Sequence, residues 1–350
     1  TAVMAKAIDA GYRFVIVLAG TLDILRNQTQ RRLDMELFGR EAILDGRSEN
    51  DLTSYDYKAE SYFADDSDWD IDWDTERRGF VRHGGAVGTT GYPKIRRITT
   101  SVADFRGSAG ASLVDIPLRS PELPLNHPNN LLNASCHAAV VKKNSNVLKK
   151  LNAELARLDS AIVRDLPVLI IDDESDQASI NTVNPSKNKS KEEVERTAVN
   201  REITNLLKRF PRSQYVGYTA TPFANVFVDP DDPEDLYPRD FALILTEPPG
   251  YRGAAWFHDR HQQFEGDPEP TVETSRSMAF IRDIAESPSK GLDEPDYGFE
   301  DVRTKELQEA LDMFVLTGAI KKYREAHSNH HFEHHTMLVH EAVDTATHEE

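Results

Sequence analysis

The sequence predicts an α/β fold built on a doubly wound parallel sheet. Short apolar runs alternate with longer segments in which aliphatic side chains recur at helical spacing. Strands that alternate with helices in this way form parallel sheets, because a crossover helix must join each strand to the next. In such sheets the functional loops lie at the carboxyl ends of the strands.

The first third of the chain contains the first predicted helix, strand and helix. Residues 1–10 are predicted to be helical and Gly11 to end that helix, residues 14–20 form a buried strand, and residues 23–38 form a second helix. Acids, aromatic residues and glycines then replace this pattern. We interpret residues 45–97 as an irregular, exposed insertion.

The alternation returns after the insertion and gives a β-α-β-α-β order. The predicted elements are a strand at 137–143, a helix at 146–166, a strand from 168, a helix at 193–210 and a strand at 213–223. Pro167 is expected to end the first of these helices.

The remaining residues predict a division into further segments. The predicted segments are a first α/β domain at 1–228, a connector with a small insertion at 229–305, and the truncated start of a second domain at 306–350. The connector would hold a short strand at 241–246. The last segment would hold a helix at 305–326 and a strand at 336–340.

Composition limits the classes of function. The formal charge of -18 argues against a general basic surface for nucleic acid, so any such contact must be local. The single cysteine, Cys136, cannot form an internal disulfide, and no apolar run approaches the roughly 20 residues that cross a bilayer. We therefore expect a cytoplasmic protein without a membrane segment.

The strongest motif is VLIIDDESDQAS at 168–179. Four aliphatic residues lead directly into Asp172, Asp173, Glu174 and Asp176, and carboxylates this close repel one another. A magnesium ion would remove the repulsion, as in a Walker B strand, where an acid holds the metal of a nucleotide and a neighbouring glutamate activates water. The alternative is a strand that runs into a solvated acidic turn.

A second motif, Thr219-Ala220-Thr221, follows the next predicted strand. Adjacent strands of a parallel sheet end side by side, so the two threonine hydroxyls are expected to hydrogen-bond Asp176. Such a link could couple phosphate chemistry to movement. Taken alone, the motif also fits a plain turn at the end of a strand.

A third segment begins at Ala19-Gly20-Thr21 and continues into the following helix. Backbone amides at a helix start suit a phosphodiester backbone, as do the side chains of Arg26, Gln28, Thr29 and Arg31. A capped helix with a solvated polar face is the alternative.

These motifs resemble known families. Asp173-Glu174-Ser175-Asp176 is similar to the D-E-x-D box of superfamily-two helicases, and the 219–221 segment resembles their S/T-A-T motif. Six segments in order resemble the Z-one (Z1) domain family, which is named for endonucleases. They are VLAGTLDILRNQTQRRLD, VVKKN, LIIDDESDQAS, YVGYTATPFANVFVD, DLYPRDF and HHTMLVH, and the resemblance runs from Thr1 to about His340.

The resemblance implies a RecA-like P-loop ATPase core of helicase type that uses ATP and Mg²⁺. By that resemblance Asp173 would hold the metal, with Asp172 beside it, and Glu174 would activate the attacking water. Asp176 would couple to the threonine motif.

The resemblance also implies a nucleic-acid partner, with DNA favoured over RNA, and a nuclease or another defence-system subunit as a further partner. Thr21, Gln28 and Thr29 fall on one nucleic-acid-tracking segment of the family. Thr99 and Thr100 fall on a second one.

One element of an ATP site is missing. No Gly-Lys-Ser or Gly-Lys-Thr occurs in the sequence, so the chain has no cofactor-binding P-loop of its own. The family places that loop ahead of the helix that begins at Thr1. We therefore expect this chain to be a fragment that does not hydrolyse ATP at a useful rate alone.

Two other functions remain open, and so does a possible metal site. The same acids could bind two metals in an endonuclease, although Glu-x-Lys is absent and Asp-x-Lys occurs only at 56–58. A non-catalytic scaffold could keep the fold and lose the chemistry. The histidines between 327 and 340 could bind a metal, although no cysteine accompanies them.

Overall fold

The computed structural model describes most of the chain in separate ranges. They are residues 1–39, 95–101, 104–105, 114, 116–177, 191–221, 236, 240–259, 271–282, 302–332 and 334–339. The chain divides into two compact units, Thr1–Leu243 and Ile244–Glu350. Residues 45–94 of the predicted insertion lie outside the described ranges.

The described residues of the first unit form a five-stranded sheet in the order β2-β3-β1-β4-β5. The strands are β1 (Phe14–Ala19), β2 (Ile95–Arg97), β3 (Cys136–Val141), β4 (Val168–Asp173) and β5 (Ser213–Gly217). Every pair of neighbours is parallel. The predicted α/β class with a parallel sheet is therefore confirmed.

The central strands are buried on both faces. All residues of β1 and β3 are buried, as are the first five of β4, which matches the near-continuous aliphatic runs typical of parallel sheets. One face packs around Phe14, Leu151 and Phe210, and the other packs around Met4 and Val15. This packing fixes the position at which each strand ends.

Helices connect and cover the strands of the first unit. They are α1 (Ala2–Asp9), α2 (Asp23–Leu33), α3 (Pro128–Leu131), α4 (Ser145–Leu155), α5 (Ser160–Asp165) and α6 (Lys191–Arg209). A π-helical turn, Asp34–Phe38, continues α2.

Two predictions in the first unit were partly wrong. The helix predicted at 146–166 is two helices, because Asp159 accepts a hydrogen bond from the Ala161 amide and starts α5 anew. The end of the predicted insertion is β2, which pairs with β3. It was missed because three residues, two of them arginine, show no strand periodicity.

The second unit contains α7 (Ala254–Phe257), α8 (Arg276–Phe280) and α9 (Val302–His327). The strands predicted at 241–246 and 336–340 are not seen: residues 241–246 and 336–339 have no strand structure, and residue 340 lies outside the described ranges. Leu243, Ile244 and Leu338 are exposed, so their apolar character reflects no buried strand. No helix in the described part of the chain is long and apolar enough to cross a membrane.

Candidate functional site at the ends of strands β3, β4 and β5

Strand β4 delivers the acidic residues to the carboxyl edge of the sheet. Asp172 pairs in register with Leu18 of β1 and with Gly217 of β5, and Asp173 pairs with Ala19. Because side chains alternate along a strand, these two acids point to opposite faces. Asp172 is fully buried, whereas Asp173 is exposed.

The buried acid is held by a lysine that the sequence prediction did not include. The Nζ atom of Lys143 lies 3.0 Å from Oδ1 of Asp172, and neither side chain is exposed. The same ammonium donates to the backbone carbonyl of Asp173 at 2.7 Å and to that of Glu174. The ammonium therefore makes two hydrogen bonds to backbone carbonyls and one ion pair with Asp172.

Tyr215 of β5 completes the surroundings of Asp172. Its hydroxyl donates to Oδ2 of Asp172 at 2.6 Å. Burial, followed by the negative charge and the hydrogen bond of Asp172, raises the pKa of Tyr215 well above its usual value. The tyrosine therefore remains a neutral donor.

Asp172 is thus paired inside the sheet, and the expectation that it binds metal beside Asp173 stays a prediction. Its carboxylate faces Lys143 and Tyr215 instead of sharing an open position with its neighbour. The side-chain alternation of β4 is the physical reason.

A tight turn follows β4 and carries Glu174. This residue has φ of 52°, in the left-handed region that non-glycine residues adopt at a cost, and its side chain is half-buried. The turn is tied to β5 because the Ser175 amide donates to the carbonyl of Tyr218, whose own amide donates to the carbonyl of Asp172, both at 2.8 Å.

Gly217 allows this close approach between the turn and β5. A Cβ atom at this position would lie 2.9 Å from Oγ of Ser175 and 3.1 Å from its Cβ. Glycine leaves the space that Ser175 occupies, and a larger residue at this position would require Ser175 to shift.

The threonine loop contacts the last acid of the motif as the sequence predicts. Thr219 donates from Oγ1 to Oδ1 of Asp176 at 2.7 Å, and Thr221 donates from Oγ1 to Oδ2 at 2.6 Å. Burial alone would raise the pKa of Asp176, but the hydrogen bonds from Thr221 and Thr219, with the charge of Lys143, outweigh it and lower that pKa. The predicted hydrogen bonds are present, and the coupling role stays a prediction.

The residues predicted to contact nucleic acid at the start of α2 differ in accessibility. Thr21 and Gln28 are exposed, while Thr29 and Arg31 are half-buried, and the Thr29 hydroxyl donates to the carbonyl of Leu25. Only the first two side chains are fully available at the surface.

Arg26 is a structural residue instead of a surface contact. It is 2% exposed and donates to the carbonyls of Thr100, Ser101 and Val140. This arginine therefore ties α2 to the segment after β2. Thr100, predicted to contact nucleic acid, is half-buried and contributes its carbonyl to this arrangement.

Thr99, which is predicted to contact nucleic acid, lies in the interior of the first unit, and that contact stays a prediction. The residue is 2% exposed, its Oγ1 donates to Oε1 of Gln30 at 2.7 Å, and it accepts from the Val140 amide at 2.8 Å. Gln30 in turn donates to Asp34, which forms an ion pair with Arg97. Thr99 belongs to a buried polar network that joins α2 to β3.

The described histidines of the 327–340 loop make separate pairwise contacts. His327 lies within hydrogen-bonding distance of the Tyr323 carbonyl, His331 pairs with Glu325, and His335 contacts the Phe314 carbonyl. Among the described residues, no group of three histidine, cysteine or acidic side chains is placed to hold a metal ion. His340 lies outside the described ranges.

Lys143 and Tyr215 are the residues that sequence reasoning missed. The position of Lys143 two residues after a fully buried strand, inside the VVKKN segment, was the available signal. This signal does not identify Asp172 as the partner of Lys143 until the strand order is known, because β1 lies between β3 and β4.

Comparison with known proteins gives one finding about family. Residues 306–350 match the Z1 domain, and this match supports the resemblance to that family. No curated protein and no solved structure matches the chain. The matched segment holds most of α9 and the HHTMLVH motif, and so lies apart in sequence from the acidic site.

Proposed function

We propose that the chain carries part of the catalytic site of a helicase-like, magnesium-dependent ATPase that acts on nucleic acid. One arrangement carries this proposal. Asp173 and Glu174 emerge at the carboxyl edge of an all-parallel sheet, and Asp176 of the same turn is bound by both threonines of the neighbouring loop. Strand β4, which ends in these acids, lies between β1 and β5 in a parallel sheet, and this position supports the proposed RecA-like fold.

Asp173 fits the role of metal-binding acid. Its carboxylate is exposed at the end of β4, and Mg²⁺ is usually held by one or two carboxylates together with substrate phosphates and water. When bound, the ion neutralises charge on the phosphate oxygens. Asp173 would orient that ion at the sheet edge.

Glu174 fits the role of the base that positions water. It is next in the chain and half-buried, and it has a left-handed conformation in a turn whose Ser175 amide donates to the carbonyl of Tyr218, just after β5. A base must be held within hydrogen-bonding distance of the proton that it accepts, and a rigid turn supplies that placement. Glu174 would accept the proton of the water that attacks the γ-phosphate.

Asp176 would transmit changes at this turn to the loop after β5. Both of its oxygens are occupied by threonine hydroxyls, so the turn and the loop form one hydrogen-bonded unit. A displacement of the acidic turn would therefore move Thr219 and Thr221 together.

The nucleic-acid contact would be local. The net charge of -18 disfavours a broad electrostatic interface, while Thr21 and Gln28 offer exposed hydrogen-bonding groups near the end of β1. Such groups suit a DNA backbone and read no sequence. A partner subunit that cuts DNA is implied by the resemblance of the sequence motifs to the Z1 family, and we include it in the proposal.

The contacts of the acids favour an ATPase over a two-metal nuclease, because two of these acids already have partners within the protein. Asp172 is paired with Lys143 and Asp176 with two threonines, so Asp173 and Glu174 are the acids of this turn that remain for a metal and a water. Two metals would require a larger set of converging carboxylates.

The test is nucleic-acid-stimulated ATP hydrolysis by the full-length gene product. We expect Asp173→Asn to reduce turnover by about 100-fold or more, because a metal-orienting charge is lost. Asp9→Asn replaces an exposed acid outside the motifs and should leave turnover unchanged. Magnesium-dependent cutting of DNA without nucleotide, abolished by Asp173→Asn, would instead support the nuclease.

A further inference from the structure

We propose that Lys143 is a positioning residue that sets the conformation of the turn bearing Asp173 and Glu174, an inference that deepens the proposed function and rests on it. The lysine, Asp172 and Tyr215 are together called the clasp below. Asp172 lies in β4, Tyr215 lies in β5, and Lys143 is the second residue after β3.

The lysine reaches the acidic turn across the sheet. It follows β3, which is separated from β4 by β1. Its amide donates to the carbonyl of Gly20, just after β1, at 2.8 Å, which anchors its backbone over the intervening strand. The side chain then extends to β4 and is completely buried there.

The contacts of the ammonium act on the backbone of the turn itself. Its hydrogen-bond acceptors are the consecutive carbonyls of Asp173 and Glu174. When two successive carbonyls are directed at one cation, both peptide planes are fixed. Glu174 is thereby held in its left-handed conformation, which is unfavourable for a residue with a side chain.

The third contact keeps the lysine in place and removes one charge from the acidic cluster. Asp172 pairs with Nζ and also accepts from Tyr215, so the buried carboxylate has partners on both oxygens. Buried ion pairs contribute little net stability compared with apolar residues of similar volume. A role in setting the geometry of the turn therefore explains the presence of this buried ion pair better than a contribution to stability does.

The experiment compares two charge-neutral double variants of the full chain. Lys143→Met/Asp172→Asn removes the clasp charges while it leaves an acceptor for Tyr215. Lys142→Met/Asp23→Asn is the matched control, because it removes a neighbouring lysine-aspartate pair whose nitrogen and oxygen lie at a similar distance, 2.9 Å, but which is partly exposed.

The decisive measurement is amide hydrogen exchange in peptides that cover 172–177, relative to peptides that cover 14–19. We expect exchange in the turn to become at least about tenfold faster in the clasp variant, with β1 unchanged, because the turn has lost the donor to two of its carbonyls. The control should match the wild type. Unchanged exchange at 172–177 in the clasp variant would overturn the role of Lys143.

A second measurement needs no variant to fold. In the wild-type chain, NMR couplings across hydrogen bonds should connect Nζ of Lys143 with the carbonyl carbons of Asp173 and Glu174. Their absence in a spectrum that resolves this ammonium would also overturn the proposal.

Metal affinity separates this inference from the proposed function. Mn²⁺, used as the spectroscopic substitute for Mg²⁺, should bind the clasp variant about 10- to 100-fold more weakly, as for other changes to residues that support a ligand. Equal Mn²⁺ affinity of the wild type and Asp173→Asn would overturn the proposed function. The exchange rates and couplings would still decide the role of Lys143.

Discussion

The Nζ atom of Lys143 lies 3.0 Å from Oδ1 of Asp172, and both side chains are completely buried. This pair separates the acids of the motif into two kinds. One acid is neutralised inside the sheet, whereas Asp173 and Glu174 remain at its carboxyl edge. The crowding of negative charge that is evident in the sequence is therefore partly resolved by the protein itself.

Removal of the lysine alone should be strongly destabilising. Lys143→Met leaves an uncompensated buried charge on Asp172, and we expect the free energy of unfolding to fall by about 3–5 kcal/mol. Urea denaturation measures this change. Lys142→Met, at the partly exposed neighbouring position, should cost less than about 1 kcal/mol. Similar losses for both variants would contradict the burial of the pair.

The hydrogen bonds to Asp176 should be detectable through its pKa. With Thr219→Val and Thr221→Val together, the lowering hydrogen bonds are lost while burial remains, so the pKa of Asp176 should rise. NMR titration of the carboxyl carbon measures this shift.

The sign of the effect on stability follows from the lowered pKa in the folded protein. The stabilising contribution of Asp176 is present above the unfolded value of roughly 3.9 and is lost as pH falls through the lower folded value. The double valine variant should lack this acid-dependent part of its unfolding free energy. A wild-type pKa at or above the unfolded value would contradict the hydrogen bonding.

Space at Gly217 should limit substitution there. In Gly217→Ala the new Cβ would lie 2.9 Å from Oγ of Ser175, and we expect a loss of about 1–3 kcal/mol from overpacking. Ser175→Gly removes the atoms that would clash, so the double variant should recover much of the loss. If denaturation showed that the two substitutions have additive effects on the unfolding free energy, residues 217 and 175 would not share this contact.

Substitutions at Thr99 and Gln28, both predicted to contact nucleic acid, should affect different properties: the first should lower stability and the second should weaken DNA binding. Thr99→Val breaks buried hydrogen bonds to Gln30 and Val140, so it should lower the unfolding free energy by about 1–3 kcal/mol. Gln28→Ala changes an exposed side chain and should leave stability unchanged while it weakens DNA binding by the full-length gene product. Fluorescence anisotropy with labelled DNA measures the binding. A stable Thr99→Val variant would contradict the buried network.

The sequence predicted the parts of the fold that depend on long apolar runs. The strands that begin at Phe14 and Val168 are buried on both faces, and that burial requires the aliphatic runs which identified them. The short edge strand Ile95–Arg97 could not be recognised in this way, because its pairing with β3 defines it more than its own residues do. The 241–246 run shows the converse, since it is apolar but exposed.

Contacts in the candidate site could be predicted from the sequence where both residues follow one strand or two adjacent strands. Asp176 and the two threonines follow neighbouring strands, so their contact could be expected from topology alone. The contact of Lys143 with Asp172 spans an intervening strand and depends on the strand order. The burial of Thr99 depends on a helix that packs over the sheet, which no local pattern reveals.

The most direct test of the account is ATP turnover by Glu174→Gln in the full-length gene product. The substitution keeps the size of the side chain and removes the base, so nucleic-acid-stimulated turnover should fall by roughly 100- to 10,000-fold while ATP binding is retained. Glu122→Gln, at an exposed position, is the matched control and should keep wild-type turnover. Unchanged turnover in Glu174→Gln would contradict the central claim that this acidic turn carries the chemistry.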